Sequence, residues 1–239
     1  MPMDVKAIVF DIGNTLVHYN APLSWQSLFP NAIKEMMAAC DFEYTAHADS
    51  DAQAILTKYN TRVNYREYEV SSNTIFCEIL QSWNLDTKYL QTAKQAFYGY
   101  FQRDTICYKS TGYTLATLKD HGIKIGALTD VAYGMDNEYV LQDLVSIKQY
   151  FDMVLTSNDV GYRKPHKKGY QMLQSAFGVP CNQIAFVGDE QKDIAGANNA
   201  GFVSILLMDK SNDDKNWGQN HTICCLSELI SLLSESSIR

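Results

Sequence analysis

Val9-Phe10-Asp11-Ile12-Gly13-Asn14-Thr15-Leu16 ends an apolar run in a carboxylate that glycine, asparagine and threonine follow almost at once. From Val5 to Phe10 the chain is largely β-branched and apolar, the composition of an inner strand of a parallel sheet. Gly13 lets the backbone turn sharply and approach a ligand closely. Open α/β sheets bind ligands beyond the carboxyl ends of their strands, so Asp11 reads as a nucleophile held at a strand tip.

Three later segments supply what a phosphoryl-transfer site needs. Ile123 to Leu128 is another short apolar strand, and Thr129 after it offers a hydroxyl to a phosphoryl oxygen. Gly161-Tyr162-Arg163-Lys164-Pro165 sets a lysine directly before a proline. Proline favours the first helical position, so the expectation is Lys164 at a helix N-terminus, where backbone donors also attract an anion. Ile184 to Ile194 reads as a strand, a glycine turn at Gly188, and two aspartates four residues apart. Asp189 falls at the strand end and Asp193 in the opening turn of the next helix. Gathering Asp11, Asp189 and Asp193 in one pocket costs on the order of several kcal/mol unless a cation offsets their repulsion and desolvation. Magnesium, which takes oxygen ligands together with water and substrate phosphate, is the expected offset.

On these residues the chain resembles the haloacid dehalogenase superfamily, and within it the phosphatases with a helical cap. Asp11 matches the first motif, Thr129 the second, Lys164 the third, and Asp189 with Asp193 the fourth, over nearly the whole chain. The resemblance implies that Asp11 attacks phosphorus to form an aspartyl-phosphate, while Thr129 and Lys164 hold the transferring group. It also implies a magnesium site made by Asp11, the backbone carbonyl of Gly13, Asp189 and Asp193. Asn14 and Asp130, beside the first two motifs, are further candidate phosphate contacts. The substrate so implied is a small phosphorylated metabolite. A carboxylate nucleophile splits one hard displacement into two easier ones, and a metal and a lysine balance the charge on the oxygens.

One position departs from that pattern. Phosphatases of this superfamily usually carry a second aspartate two residues after the nucleophile, to protonate the leaving oxygen and then activate water; here the position is Gly13. Loss of such help costs on the order of a hundred- to ten-thousand-fold, which points to substrates with good leaving groups, such as acyl, aryl or anomeric phosphates. His18 and Glu190 are the nearby substitutes, although a linker histidine and a first-turn glutamate are the plainer readings. A phosphate-binding or regulatory protein that has lost turnover is the alternative. Dehalogenase chemistry needs no paired carboxylates in the fourth motif, so Asp189 and Asp193 weigh against it. A Schiff-base mechanism would need a lysine from the inserted segment, where Lys34, Lys58, Lys88 and Lys94 all read as exposed helix residues.

The interval from Asp11 to Thr129 is far longer than the about thirty residues a strand–helix–strand crossover needs. Within it Ile75, Phe76, Ile79, Leu80 and Trp83, then Leu90, Ala93, Phe97, Tyr100 and Phe101, recur at helical spacing. The expected organisation is an α/β core over 1–18 and 106–239, with a cap of four or so helices over 19–105, its helices running from Pro22 to about Arg103. Tyr44, Tyr59, Tyr65, Tyr68 and Tyr98 fall in that segment as packing residues or as lining for a cleft. From Ser110 onward strands and helices alternate, with Gly122, Gly178 and Gly201 ending helices. Such alternation implies a doubly wound parallel sheet, Rossmann-like. Asp209 to Asn220 reads as a loop, followed by a last strand near Thr222 to Cys225 and a helix from about Leu226.

A net charge of −7 without a basic run argues against nucleic acid. The six cysteines form no CxxC pair and read as reduced thiols. No signal segment and no apolar run of about 18 residues is present, so the expectation is a cytoplasmic protein without a membrane partner, monomer or homodimer.

Overall fold

A computed structural model describes residues 3–19, 25–208 and 215–233. Strand β1 (Ala7–Phe10) is followed by the short β2 (Val17–Tyr19) and by helices α1 (Phe29–Ala39), α2 (Ala46–Tyr59), α3 (Ser72–Ser82) and α4 (Leu90–Gln102). The chain continues through β3 (Thr105–Cys107), α5 (Thr111–Asp120), β4 (Lys124–Thr129), α6 (Asn137–Asp143), β5 (Met153–Thr156), α7 (Ser157–Val160) and α8 (Lys167–Phe177). It closes with β6 (Ile184–Gly188), α9 (Gln191–Ala200), β7 (Val203–Leu207), β8 (His221–Ile223) and α10 (Glu228–Leu232). The expected helix start at Pro22 and the expected loop residues 209–214 lie outside the described residues. Two compact units emerge: Met1–His18 with Ile106–Asp130 and Leu144–Arg239, and Tyr19–Thr105 with Val131–Asp143.

In the α/β unit six strands form one sheet in the order β5-β4-β1-β6-β7-β8, every pairing parallel. β1 lies between β4 and β6, with Phe10 opposite Ala127 on one side and Val187 on the other. All four residues of β1 are buried, as a strand covered on both faces requires. Ala7 and Val9 join Leu128, Tyr170, Leu173, Phe177 and Phe186 in one core cluster, while Ile8 and Phe10 bury the opposite face. Close packing against the sheet depends on small residues. A Cβ on Gly169 would stand 2.8 Å from a Leu128 methyl, and one on Gly196 would overlap the Tyr170 hydroxyl at 2.1 Å.

Four α-helices of the second unit take up the interval after β1, each burying an apolar stripe. α2 and α3 start on Thr45 and Ser71, whose hydroxyls accept the N–H groups of Ala48 and Thr74. Ile75, Phe76, Ile79, Leu80 and Trp83 are buried as their spacing predicts. In α4 the buried face is Ala93, Lys94, Phe97, Tyr98 and Phe101, so Leu90 and Tyr100 are only half covered. Lys94 is the correction here: Lys34, Lys58 and Lys88 are exposed, but Lys94 is 2% exposed. Its Nζ donates to Asp136 Oδ2 at 2.7 Å, Asn73 Oδ1 at 2.9 Å and Ser72 Oγ at 3.3 Å. Tyr98 is fully buried and donates to the Tyr133 carbonyl, whereas Tyr44, Tyr65 and Tyr68 are exposed.

Among the described residues no helix is long and apolar enough to cross a membrane.

Candidate active site

The site grows from the carboxyl ends of three neighbouring strands. Asp11 follows β1 and donates its backbone N–H to the Val187 carbonyl at 2.9 Å, which carries the ladder one residue past the strand. The chain then folds back immediately: Leu16 and Val17 donate to the Ile12 carbonyl, and Asn14 donates to Val17. Asn14 sits at φ 55°, a left-handed position that asparagine tolerates. The same turn buries Thr15, whose hydroxyl reaches Asp189 Oδ1 at 3.3 Å.

On the other side of β1, β6 ends at Gly188, directly before Asp189. A Cβ on Gly188 would stand 2.4 Å from Asp193 Oδ2, so glycine is what admits the first turn of α9 to the strand end. Asp193 spends Oδ2 on the N–H of Glu190, closing the helix start, and turns Oδ1 to Lys164.

Lys164 is buried with Nζ 2.7 Å from both Asp11 Oδ1 and Asp193 Oδ1. Both contacts are close ion pairs in which one buried ammonium is shared between two buried carboxylates. Lys164 does not open a helix, contrary to the sequence expectation. α8 begins at Lys167 on the N-cap His166, and Lys164 and Pro165 lie in a turn closed by His166 N–H to the Arg163 carbonyl. A residue before proline is pushed out of the helical region, so the helix forms only beyond it.

Asp11, Asp189 and Asp193 each present an oxygen, all within 4.8 Å of one another. Burial, then the charges of Asp11 and Glu190, push Asp189 up to about 6. Burial and Asp11 push Asp193 up to about 7 in spite of Lys164. Burial alone would pull Lys164 down, but Asp11, Asp193 and Asp130 outweigh it and hold the amine well above its ordinary range. One ammonium therefore faces more carboxylate than it can balance. An all-oxygen donor set of three carboxylates facing one ammonium fits a hard divalent cation such as magnesium.

Thr129 ends β4, the strand beside β1, and is 9% exposed. Asp130, the residue after it, turns its side chain to the protein. Its carboxylate accepts the N–H of Lys164 at 2.9 Å and lies 3.0 Å from Lys192 Nζ. Burial would raise Asp130, yet Lys164, Lys192 and Arg163 hold it below the usual carboxylate range. Of the two substitutes for the missing acid, Glu190 is the N-cap of α9 and pairs with Lys192 at 2.6 Å. His18 is exposed in β2, its ring 6.1 Å from that of Tyr108. Thr15, Lys192 and Arg163 were not singled out from sequence. Thr15 stands within the opening motif and Lys192 within the fourth, but only the fold reveals which carboxylates they meet.

The chain is similar to glyceraldehyde 3-phosphate phosphatase of Methanocaldococcus jannaschii, 25% identical over 96% of this chain and 97% of that protein. A crystal structure of a haloacid dehalogenase-like phosphatase from Thermococcus onnurineus shares the fold at a TM-score of 0.65 and 24% identity, over 95% of this chain and 97% of that one. So does 2-haloacid dehalogenase from Pseudomonas syringae pv. Tomato, at 0.64 and 18%, over 95% and 97% of the two chains. The fold thus serves two chemistries, and only the site residues choose between them. Residues 5–201 match the haloacid dehalogenase-like hydrolases as a family, and together with the six-stranded parallel sheet this places the chain in that hydrolase family.

Proposed function

We propose that this hydrolase is a magnesium-dependent phosphatase of a small phosphorylated metabolite, with Asp11 as nucleophile. The observation that carries the reading is the cluster of Asp11, Asp189 and Asp193 around Lys164 at the ends of β1 and β6. Asp11, Asp189, Asp193 and the carbonyl of Gly13 are the residues that would hold magnesium, which when bound offsets the negative charge of phosphoryl and carboxylate oxygens. An Asp11 oxygen forms a bond to phosphorus as the bond to the leaving oxygen breaks, giving an aspartyl-phosphate. Lys164 and Thr129 hold the phosphoryl oxygens, with Asn14 beside them in the turn. Water then attacks the aspartyl-phosphate, releasing inorganic phosphate and restoring the Asp11 carboxylate.

Gly13 carries no carboxyl, so the departing oxygen must take its proton from solvent or need none. Acyl, aryl and anomeric phosphates therefore suit the site better than alkyl phosphates. The helical unit acts in this reading as the cap that selects the substrate. Asp189 and Asp193 speak against dehalogenation, which needs no cation. Gly13 also favours one second reading, a protein that binds phosphate esters without turning them over.

The test is phosphate release with and without magnesium across acetyl phosphate, p-nitrophenyl phosphate, glucose 1-phosphate, glyceraldehyde 3-phosphate and an alkyl phosphate, with Asp11→Asn in parallel. Glyceraldehyde 3-phosphate is included because the archaeal relative is named for it. Release by the wild type alone, fastest for the best leaving groups, supports the proposal. Magnesium-dependent binding without release from any substrate would favour the second reading.

A further inference from the structure

Asp130 ties together three segments that are distant in sequence. Its side chain is 5% exposed, and Oδ1 accepts the backbone N–H of Lys164 at 2.9 Å. Oδ2 stands 3.0 Å from Nζ of Lys192, in the first turn of α9, and 3.9 Å from the Arg163 guanidinium. One carboxylate thus joins the end of β4, the turn that carries Lys164, and the start of the helix that carries Asp193.

The turn at Lys164 needs such an anchor. It is a short connection between α7 and α8 in which the His166 N–H donates to the Arg163 carbonyl, and lysine reaches its target through a flexible four-carbon stem. Nζ is nevertheless placed 2.7 Å from two carboxylates at once. Fixing the backbone origin of the stem narrows where its tip can lie. A buried carboxylate beside a site for an anionic phosphoryl group would repel it, and Lys192 and Arg163 neutralise that charge.

We propose that Asp130 is a positioning residue that acts through Lys164: it holds the Lys164 backbone so that Nζ meets Asp11 and Asp193, and it does not itself touch the phosphoryl group. This inference rests on the phosphatase reading above. Misplacing a group by about 1 Å costs about 100-fold in rate, so Asp130→Ala should lower kcat by about 100-fold. The magnesium ligands are untouched, so the rise in melting temperature on adding magnesium should persist in that variant. Asp130→Asn keeps an oxygen for the Lys164 N–H and should recover most of the lost turnover.

The experiment measures magnesium-dependent phosphate release from acetyl phosphate, and melting with and without magnesium, for wild type, Asp130→Ala, Asp130→Asn and Asp11→Asn. Wild-type turnover in Asp130→Ala overturns the proposal, and so does an Asn variant as slow as the Ala variant, since charge would then matter and the anchored N–H would not. Loss of the magnesium response in Asp130→Ala also overturns it, by showing general collapse of the site. If Asp130→Ala does not fold, turnover of Asp130→Asn close to wild type supports the anchor and a deep loss overturns it. Absence of release from the wild type sinks the phosphatase reading instead. The anchor is then read from protection against unfolding by inorganic phosphate with magnesium: kept in Asp130→Asn and lost in Asp130→Ala if it holds, equal in both if it does not.

Discussion

Each unit buries a lysine against a carboxylate at 2.7 Å, and the two lysines teach opposite lessons. In the helical unit Lys94 meets one carboxylate, Asp136, and two further acceptors, Asn73 and Ser72. Ser72 in turn donates to Asp136, which closes the network. In the α/β unit Lys164 is shared between Asp11 and Asp193, with a third carboxylate, Asp189, beside them. Burial of a charge is common to both. What differs is balance: a buried charge whose partners are complete holds a fold together, and one whose partners are in excess is poised for a ligand.

Substitutions at the two lysines should separate these roles, with the largest effect in the α/β unit. Asp11→Asn should remove turnover entirely and leave the melting temperature unchanged or higher, because it relieves repulsion within the cluster. Lys164→Met should lower kcat by about a thousand-fold, as loss of a donor to developing oxygen charge does. Steady-state kinetics beside thermal melts decide the matter: substantial turnover in Asp11→Asn would remove Asp11 from the chemistry.

Lys94→Met should do the reverse. Breaking a buried pair costs about 3 kcal/mol or more, so the variant should unfold at clearly lower urea while its kcat, measured below the transition, stays near wild type. Replacing Lys94 and Asp136 together with apolar residues should return part of the lost stability. A kcat loss in Lys94→Met at full stability would break the contrast between the two lysines.

Asp11, Asp189 and Asp193 were legible in the sequence because the signal is local: an apolar run, a carboxylate, and a glycine or helix start within a few residues. The alternation that follows Thr129 made the parallel sheet legible for the same reason. Lys94 was not legible, since its burial depends on Asp136, which lies 42 positions away and reaches it only in the folded unit. Asp130 shows the same limit. Its place after a strand pointed to ligand contact, whereas its partners come from Lys164 and Lys192, which no local pattern pairs with it. Val131–Asp143 groups with the helices for a similar reason, through Tyr98 to Tyr133 and Gln102 to Tyr139. The early start expected for α8 overrated a proline that ends a turn and opens no helix.

A smaller effect is expected at Gly13, where the comparison can be sharpened by adding a carboxyl. Gly13→Asp should raise turnover of alkyl phosphates by about 100-fold and that of acyl phosphates little, because only the poorer leaving group needs the proton. Equal changes for both classes would show that leaving-group protonation does not limit the wild type.

The smallest expected effect is on stability against pH, and it tests the imbalance around Lys164 directly. In the metal-free protein Asp189 and Asp193 titrate near 6 and 7, above the roughly 4 of an unfolded aspartate. The folded state therefore binds more protons than the unfolded state between those values, so the stability these groups contribute is present below about pH 4 and is lost as pH rises through 6 to 7. Melting of metal-free protein should therefore fall between pH 5 and pH 7.5. Magnesium held among these carboxylates would favour their ionised, folded form, so it should raise the melting temperature more at pH 7.5 than at pH 5. Lys94→Met should keep that difference and Asp193→Asn should shrink it. A magnesium response that is the same at both pH values would mean that the cation binds elsewhere than among Asp11, Asp189 and Asp193.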